Sequence, residues 1–269
     1  MSPDYSRYKY LDIQRSNGIA TLTLNQADNR NAVHAEMHGE LEHVWRDLGS
    51  DPEVNVIVFT GAGKTFSAGG DIKRMAARFG TDEGWDYSLG IPAATHRMFE
   101  GILDVKQPII AAVNGDAVGL GATLALFADI SVIADTAKFG DSHVKVGLVA
   151  GDGGAIIWPQ LIGFARAKEL LMTGDLLSAT EAAAMGLINY AVPTGELDAK
   201  VAEIAGKILG NPRWAVRWTK MTANITLKQI VVSTSDAAVA YESLSNMTAD
   251  RKEAVAAFRE RRPMNLTGE

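Results

Sequence analysis

The chain has 269 residues, of which 47 % are hydrophobic and 22 % charged. That size and composition suit a soluble globular protein with a sizeable core, and they exclude a disordered or fibrous chain. A formal charge of −6 provides no positive field for phosphate backbones, so nucleic acid is not expected as a partner. Cysteine is absent, which removes disulfides, thiolate nucleophiles and cysteine-based metal sites together. The start "MSPDYSRYKYLDIQ" has no apolar signal-peptide region and no run of about 18 apolar residues occurs, so a cytoplasmic protein without a membrane partner is expected.

In chain order, "YKYLDIQ" and "IATLTLNQ" flank "RSNG", and Asn-Gly between strand-like runs predicts a β-hairpin. From Ala32 to about Leu48, Val33, Met37, Leu41, Val44, Trp45 and Leu48 recur at spacings of three and four, which predicts a helix. His34, His38 and His43 fall on it. His34 and His38 have a metal-compatible spacing but no third ligand, so a packed or solvated face is the expectation. The run "VNVIVFTG" reads as a strand buried on both faces, and "PIIAAVNG" and "ADISVIA" repeat the pattern. Helical segments between them predict an α/β fold with right-handed crossovers.

Residues 77–95, rich in Gly and turn formers, read as a mobile loop or broken helix, with Trp85, Tyr87 and Leu89 as pocket walls or surface anchors. After residue 160 strand signals fade. Ser178 and Glu181 form a predicted capping box, Pro212 marks a break, and a last long helix is expected through "DAAVAYESLSNMTADRKEAVAAFRERR". The expected division is a core over residues 1–195 and a helical region over 196–269.

Two glycine-rich segments each follow a buried strand: "GAGKTFSAGGDIK" at 61–73 and "NGDAVGLGATLAL" at 114–126. Neither has the spacing of a phosphate-binding Walker loop. A glycine turn feeding a helix start presents free N–H groups that suit a developing oxyanion. The plainer explanation is a turn that needs positive φ or close backbone approach.

The segments "FSAGGDIK", "PIIAAVNGDAVGLGATLALFADI", "LLMTGDLLSATEAAAMGLINYAVP" and "AFRERRP", in that order, resemble the signatures of the enoyl-CoA hydratase/isomerase family of the crotonase superfamily. The resemblance spans roughly residues 8–262. It implies a spiral of ββα repeats followed by a C-terminal helical trimerisation region, and a homotrimer or hexamer built as a dimer of trimers. It also implies an acyl-CoA substrate whose thioester oxygen lies between two peptide N–H groups, here those of Gly70 and Leu120. By the same resemblance, Ala68, Gly70, Asp71, Ile72 and Lys73 border the pantetheine. Arg30 and Ala32 then border the nucleotide side, and Phe258 and Arg261 reach the ligand from the terminal region. No metal or redox cofactor is implied; CoA enters as part of the substrate.

A hydratase of this family places two glutamates across the double bond, and motif register puts Thr123 and His143 at those positions. A threonine hydroxyl is too weak an acid or base to replace a carboxylate, so Thr123 is expected to bond back to its own helical turn. Imidazole, with an ordinary pKa near ~6.5, is a competent base. In "DSHVKVGLVAGDGG", His143 is therefore the expected general base, with Asp152 fixing its tautomer or, more plainly, capping the helix that follows. A His and an Asp at this separation are similar to the β-diketone hydrolase branch of the superfamily, although 114–126 carries Asp116 and no histidine. The expected function is an enoyl-CoA hydratase/isomerase-type enzyme. A β-diketone hydrolase using water activated by His143 and Asp152 is the alternative, and a catalytically silent acyl-CoA-binding homologue is a further one.

Overall fold

The computed structural model describes residues 2–269. Strands β1 (Leu11–Ser16) and β2 (Ile19–Leu24) form the expected antiparallel hairpin. Its turn places Asn17 and Gly18 at φ 51° and 80°, left-handed positions that Asn and Gly tolerate best. Helix α1 (Ala35–Ser50) follows, and its apolar stripe is buried, Met37 to Leu48, at the spacings read from sequence. His34 stands before that helix as its N-cap, accepting from the Met37 N–H, rather than within it.

Three successive units then repeat one plan: a strand in a large sheet, a strand in a small sheet, a helical segment. They begin with β3 (Val56–Gly61) and β4 (Thr65–Ser67), followed by α2 (Ile72–Ala77) and α3 (Asp82–Asp104). Next come β5 (Ile109–Val113), β6 (Asp116–Val118) and α4 (Leu120–Leu126). The third has β7 (Ile130–Ala134), β8 (Lys138–Gly140), a short 3-10 turn (His143–Val146) and α5 (Gly154–Ile162). The large sheet runs β1-β2-β3-β5-β7 and ends in β10 (Tyr190–Val192); the small sheet runs β4-β6-β8 and ends in β9 (Leu177–Ser178). Within the repeats all pairings are parallel. This is the expected α/β spiral of ββα repeats.

The continuous apolar strands are explained by burial on two sides. One face of the large sheet contributes Ile57, Phe59, Ile109 and Ile133 to the main core. The opposite face, with Val56, Ile110 and Val132, is covered by Leu197, Val201 and Ile204 of α8 (Leu197–Leu209). Helices α6 (Phe164–Thr173) and α7 (Ala179–Ala184) lie between the core repeats and α8, and the Ser178/Glu181 capping box is present.

Some expectations change. Of the two readings of 77–95 the structure shows the broken helix and not the loop: α2 ends at Ala77, and after a turn 82–95 form the first half of the 23-residue α3, which accommodates Pro92. Thr81 caps it, Asp82 and Glu83 favour its first turn, and packing on α1 and α9 (Arg213–Ser245) outweighs its glycines. Strand structure persists beyond residue 160 as the short β9 and β10. The final helix is divided, because Thr248 caps a new helix, α10 (Ala249–Glu260), after a turn at 246–248. Helices therefore fill the C-terminal region as expected. No helix among the described residues is long and apolar enough to cross a membrane.

Candidate active site

The parallel strands β4, β6 and β8 lie side by side, and the segments leaving their C-terminal ends line one cavity of about 110 Å³ that opens to solvent. The carboxyl ends of parallel strands are where α/β sheets commonly bind ligands. The segment after β4 is fixed by Ser67, whose hydroxyl donates to the Asn31 carbonyl and accepts the Gly69 N–H. Val33 bridges Gly70 in parallel fashion, its N–H donating to Gly69 O and its carbonyl accepting from Asp71 N. In such a bridge the groups of Gly70 itself face away from Val33, and Gly70 lines the cavity.

After β6, Gly119 turns the chain at φ 55° and α4 begins at Leu120, whose N–H, in the first helical position, has no intrahelical acceptor. A Cβ at Gly69 would sit 3.5 Å from that nitrogen, so the two segments abut. Gly119 is required twice, by its left-handed backbone and because a Cβ there would lie 3.1 Å from His143 Cε1. The Leu120 side chain is buried and narrows the cavity beside its own N–H.

After β8, His143 is held from both sides. Its Nδ1 hydrogen-bonds Asp141 Oδ1 at 2.7 Å, its Nε2 faces Asp152 Oδ2 at an ion-pair distance of 3.2 Å, and all three residues are buried. The expected contact with Asp152 is present, but Asp141 is a second and shorter partner that the sequence reading overlooked. Asp152 is not a helix cap: Gly153 occupies that position in α5 without a side-chain bond, and the Asp152 side chain turns to His143. Burial opposes a charged imidazole, but the charges of Asp141 and then Asp152, with their hydrogen bonds, raise its pKa well above the ordinary value. Burial likewise opposes ionisation of Asp141, and the His143 charge and hydrogen bonds outweigh it, leaving that carboxyl below its usual range. The two neighbouring acids thus favour the protonated form of the ring.

Those three residues are also a cluster of potential metal ligands, with ligand atoms within 4.8 Å of one another. Nδ1, however, already hydrogen-bonds Asp141 and Nε2 faces Asp152, and a protonated imidazole has no lone pair for an ion. His34 and His38 are occupied separately: His34 contacts Glu36 and Gln26, and His38 contacts Glu42.

A fourth group comes from the C-terminal region. Glu242 of α9 lines the same cavity, its Oε2 is sealed from solvent without a partner, and its side chain packs at Gly151. Burial and then the Asp152 charge push its pKa up to about 8, with His143 and Arg251 only partly offsetting them. Sequence reasoning missed it, although Val231, Ser235 and Val239, at steps of four, define a buried face of α9 that Glu242 extends by three.

Ala68, Gly70, Asp71 and Ile72 border the cavity, with Met75, Tyr87, Ile91, Val146 and Leu148 among its apolar walls. Asp71 also caps α2, accepting from the N–H groups of Lys73 and Arg74. The other expected ligand contacts lie outside the lining of the single chain. Arg30 is turned to Asp116 at 3.2 Å. Ala32 is buried behind the site, and Lys73 is exposed on the outer side of α2. Phe258 and Arg261 stand exposed at the end of α10. Thr123 does not bond back to its turn; it is fully buried, its hydroxyl has no partner, and it is absent from the cavity wall. Of the three aromatic or apolar residues noted in 77–95, Tyr87 lines the cavity, while Trp85 and Leu89 are exposed.

A spiral of β-β-α units closed by a helical C-terminal region, with ligand-facing turns at the ends of its small sheet, is the crotonase fold. The chain belongs to the enoyl-CoA hydratase/isomerase family, whose model matches residues 14–269, and is thus an enzyme of the lyase/isomerase type. It is 34 % identical to crotonyl-CoA hydratase of Syntrophomonas wolfei subsp. wolfei, over 96 % of this chain and 98 % of that protein. The crystal structure of an enoyl-CoA hydratase/isomerase from Mycobacterium paratuberculosis superposes with a TM-score of 0.87 at 36 % identity, covering 94 % of this chain and 99 % of the other. A β-diketone hydrolase from Anabaena sp. PCC 7120 shares the fold at 24 % identity, with a TM-score of 0.81 and coverage of 90 % and 96 %.

Proposed function

We propose that the protein acts on an acyl-CoA thioester by enoyl-CoA hydratase/isomerase chemistry, with the thioester oxygen held by the N–H groups of Gly70 and Leu120 as an enolate forms. The observation that carries this reading is the meeting, at one cavity, of these two amides with an acid–imidazole–acid group. An oxyanion donor of this kind is worth about 2.7–4 kcal/mol of transition-state stabilisation where one has been removed. Similarity to a crotonyl-CoA hydratase supports a 2-enoyl thioester as the first substrate class to test.

The expectation of His143 as sole general base changes under this reading. Both ring nitrogens are engaged and the imidazole is held protonated, so it has no lone pair to accept a substrate proton. Asp152 lines the cavity, and its second oxygen, Oδ1, is buried without a hydrogen-bond partner. We assign the base to the Asp152 carboxylate, positioned by His143, which Asp141 in turn orients. The proton taken comes from water during hydration or from a carbon beside the carbonyl during isomerisation.

The same contact between His143 and Asp152 supports a second reading, hydrolysis of a β-dicarbonyl. Water deprotonated at this pair adds to one carbonyl, the C–C bond breaks, and the departing enolate is held by the two amides before it is protonated. The implied CoA contacts at Arg30, Ala32, Lys73, Phe258 and Arg261, and the homotrimer or hexamer, belong to the proposal as well. Trp214 and Trp218, exposed on α9, suit a subunit contact.

The test is purified protein with crotonyl-CoA, following 3-hydroxyacyl-CoA formation. Wild type is expected to turn over, and Asp152→Asn to lose about 100-fold or more in kcat. An undiminished rate in that variant removes Asp152 from the mechanism. Two fragments from a β-diketone would select the hydrolase, and binding of acyl-CoA esters without turnover across a panel would select the silent homologue.

A further inference from the structure

Hydration of an enoyl thioester needs a proton donor as well as a base, and the acid–imidazole–acid group supplies only the base. We propose that Glu242, reaching the cavity from the C-terminal helix α9, is the general acid that delivers a proton to the enolate carbon. This rests on the enolate reading above and completes it.

Several independent features support the assignment. Glu242 lines the same cavity as Gly70, Leu120, His143 and Asp152. Neither of its carboxyl oxygens has a hydrogen-bond partner among the described residues, and Oε2 is out of solvent. A purely structural buried glutamate would be expected to be paired. The charged and titratable groups around it are Asp152, His143, Asp141 and Arg251, and Tyr87 also feels its charge. Asp141, His143 and Asp152 together carry a net charge of about −1 when the imidazole is protonated, so ionising Glu242 would add a like charge beside them. His143 is the larger offset and Arg251 the smaller, its guanidinium turned to the Val146 carbonyl and Asn246. Glu242 is thereby held as a neutral acid at neutral pH, the state from which a proton can be given.

The proton balance closes without any further reactant. The Asp152 carboxylate takes one proton from water as the hydroxyl oxygen adds to the β-carbon, and the electron pair of the double bond moves into the thioester enolate. Glu242 gives its proton to the α-carbon, and the carbonyl re-forms. Transfer of the proton held by Asp152 to the Glu242 carboxylate then restores the starting state. Net, one water adds across one double bond.

The experiment compares wild type, Glu242→Gln and Glu242→Asp with crotonyl-CoA from pH 5.5 to 9.5 (a range of about four units around the Glu242 pKa). The glutamine variant is expected to lose about 100-fold in kcat with little change in KM. Wild type is expected to lose activity above about pH 8, and the aspartate variant to keep measurable activity with a displaced alkaline limb. Glutamine-variant turnover within about threefold of wild type, with the same pH profile, overturns the proposal. If wild type turns over neither enoyl-CoA nor its isomers, the enolate reading has failed, and infrared spectroscopy decides the inference separately. A neutral-carboxyl band at pH 7, absent from Glu242→Gln and shifted in wild type by crotonyl-CoA, sustains Glu242 as a donor to the bound thioester. A band absent from wild type, or unmoved by the thioester, overturns it.

Discussion

Replacing Glu242 by Gln has a consequence for stability that is independent of turnover. In the unfolded chain this carboxyl ionises near 4.5; in the native protein it does so at about 8, because burial and the Asp152 charge disfavour the anion. Between those values the native state holds a proton that the unfolded state has released, so rising pH favours unfolding by about 1.4 kcal/mol per unit. Across the full interval of about 3.5 units, wild type forfeits up to roughly 4–5 kcal/mol that the glutamine variant retains. Solvent reaching the half-buried residue lowers that ceiling, and a difference of about 2 kcal/mol at pH 8 is the expected minimum. The sign is definite: the variant gains little at pH 4.5 and progressively more up to pH 8 (the two ends of the interval set by the shift). Urea unfolding of both proteins at several pH values and one fixed protein concentration measures it, since any subunit association depends on that concentration. Stability curves that stay parallel from pH 5 to 8 (most of the same interval) would show that Glu242 is already ionised in the native state, and the general-acid assignment would lose its basis.

His143 is expected to show both ring nitrogens protonated at pH 7 by nitrogen NMR, and to lose a proton only well above its ordinary range. Because its pKa is raised on folding, its contribution to stability is complete below the ordinary value near 6.5 and is lost as pH rises through the native value. A neutral tautomer at pH 7 would contradict the doubly held imidazolium. Gly154→Ala is expected to cost stability and turnover, although alanine is the better helix former by about 1 kcal/mol. Its methyl would meet Asp141 Oδ2 at 2.3 Å and push that carboxylate off His143, so an unfolding midpoint and kcat equal to wild type would refute the packing argument. Thr123→Val removes a fully buried, unpartnered hydroxyl. It is expected to stabilise by about 1 kcal/mol in urea unfolding with kcat unchanged, and a loss of activity would restore a catalytic role for Thr123. Lys220→Met removes a buried ammonium that donates to the Gln107 carbonyl and pairs with Asp129 at 2.7 Å; because Asp129 is exposed and still accepts the Ile109 N–H, the cost should be only about 1 kcal/mol, read from the same unfolding curves.

The parts of this fold legible in sequence are those set by local periodicity. Asn17-Gly18 specified the hairpin, and the runs around Ile57, Ile110 and Val132 specified strands covered on both faces. Composition left 77–95 open between a mobile loop and a broken helix because of Gly84, Gly90 and Pro92, and long-range packing of α3 against α1 and α9 decides for helix. The site divides in the same way. His143 and Asp152 stood out because both interrupt an apolar stretch, and folding does bring them into contact. Asp141, two residues before His143, was equally visible but received no role, since only the short 3-10 turn folds the imidazole back onto it. Glu242 was hidden because its relation to the site is entirely tertiary, and α9 reads as an ordinary amphipathic helix.

The histidine at a position where resemblance implies a glutamate changes the electrostatics of the whole cavity. A glutamate there would add a further negative charge beside Asp141 and Asp152. The imidazolium instead neutralises one of two buried acids, leaving a net charge of about −1 in the cluster. That residual charge is enough to oppose ionisation of Glu242 without forcing Asp141 and Asp152 to share a proton. A base and an acid can then coexist in one small volume: Asp152 fixed by His143 on the core side, Glu242 kept neutral on the C-terminal side. Removing Asp141 should act on both, because an imidazole with one carboxylate partner is more easily deprotonated, and the Asp141 charge is one of those that oppose ionisation of Glu242. Asp141→Asn is therefore expected to lower the pKa of His143 and, while the imidazole stays protonated beside Asp152, to lower that of Glu242 as well, two shifts measurable by NMR and infrared titration of the same sample.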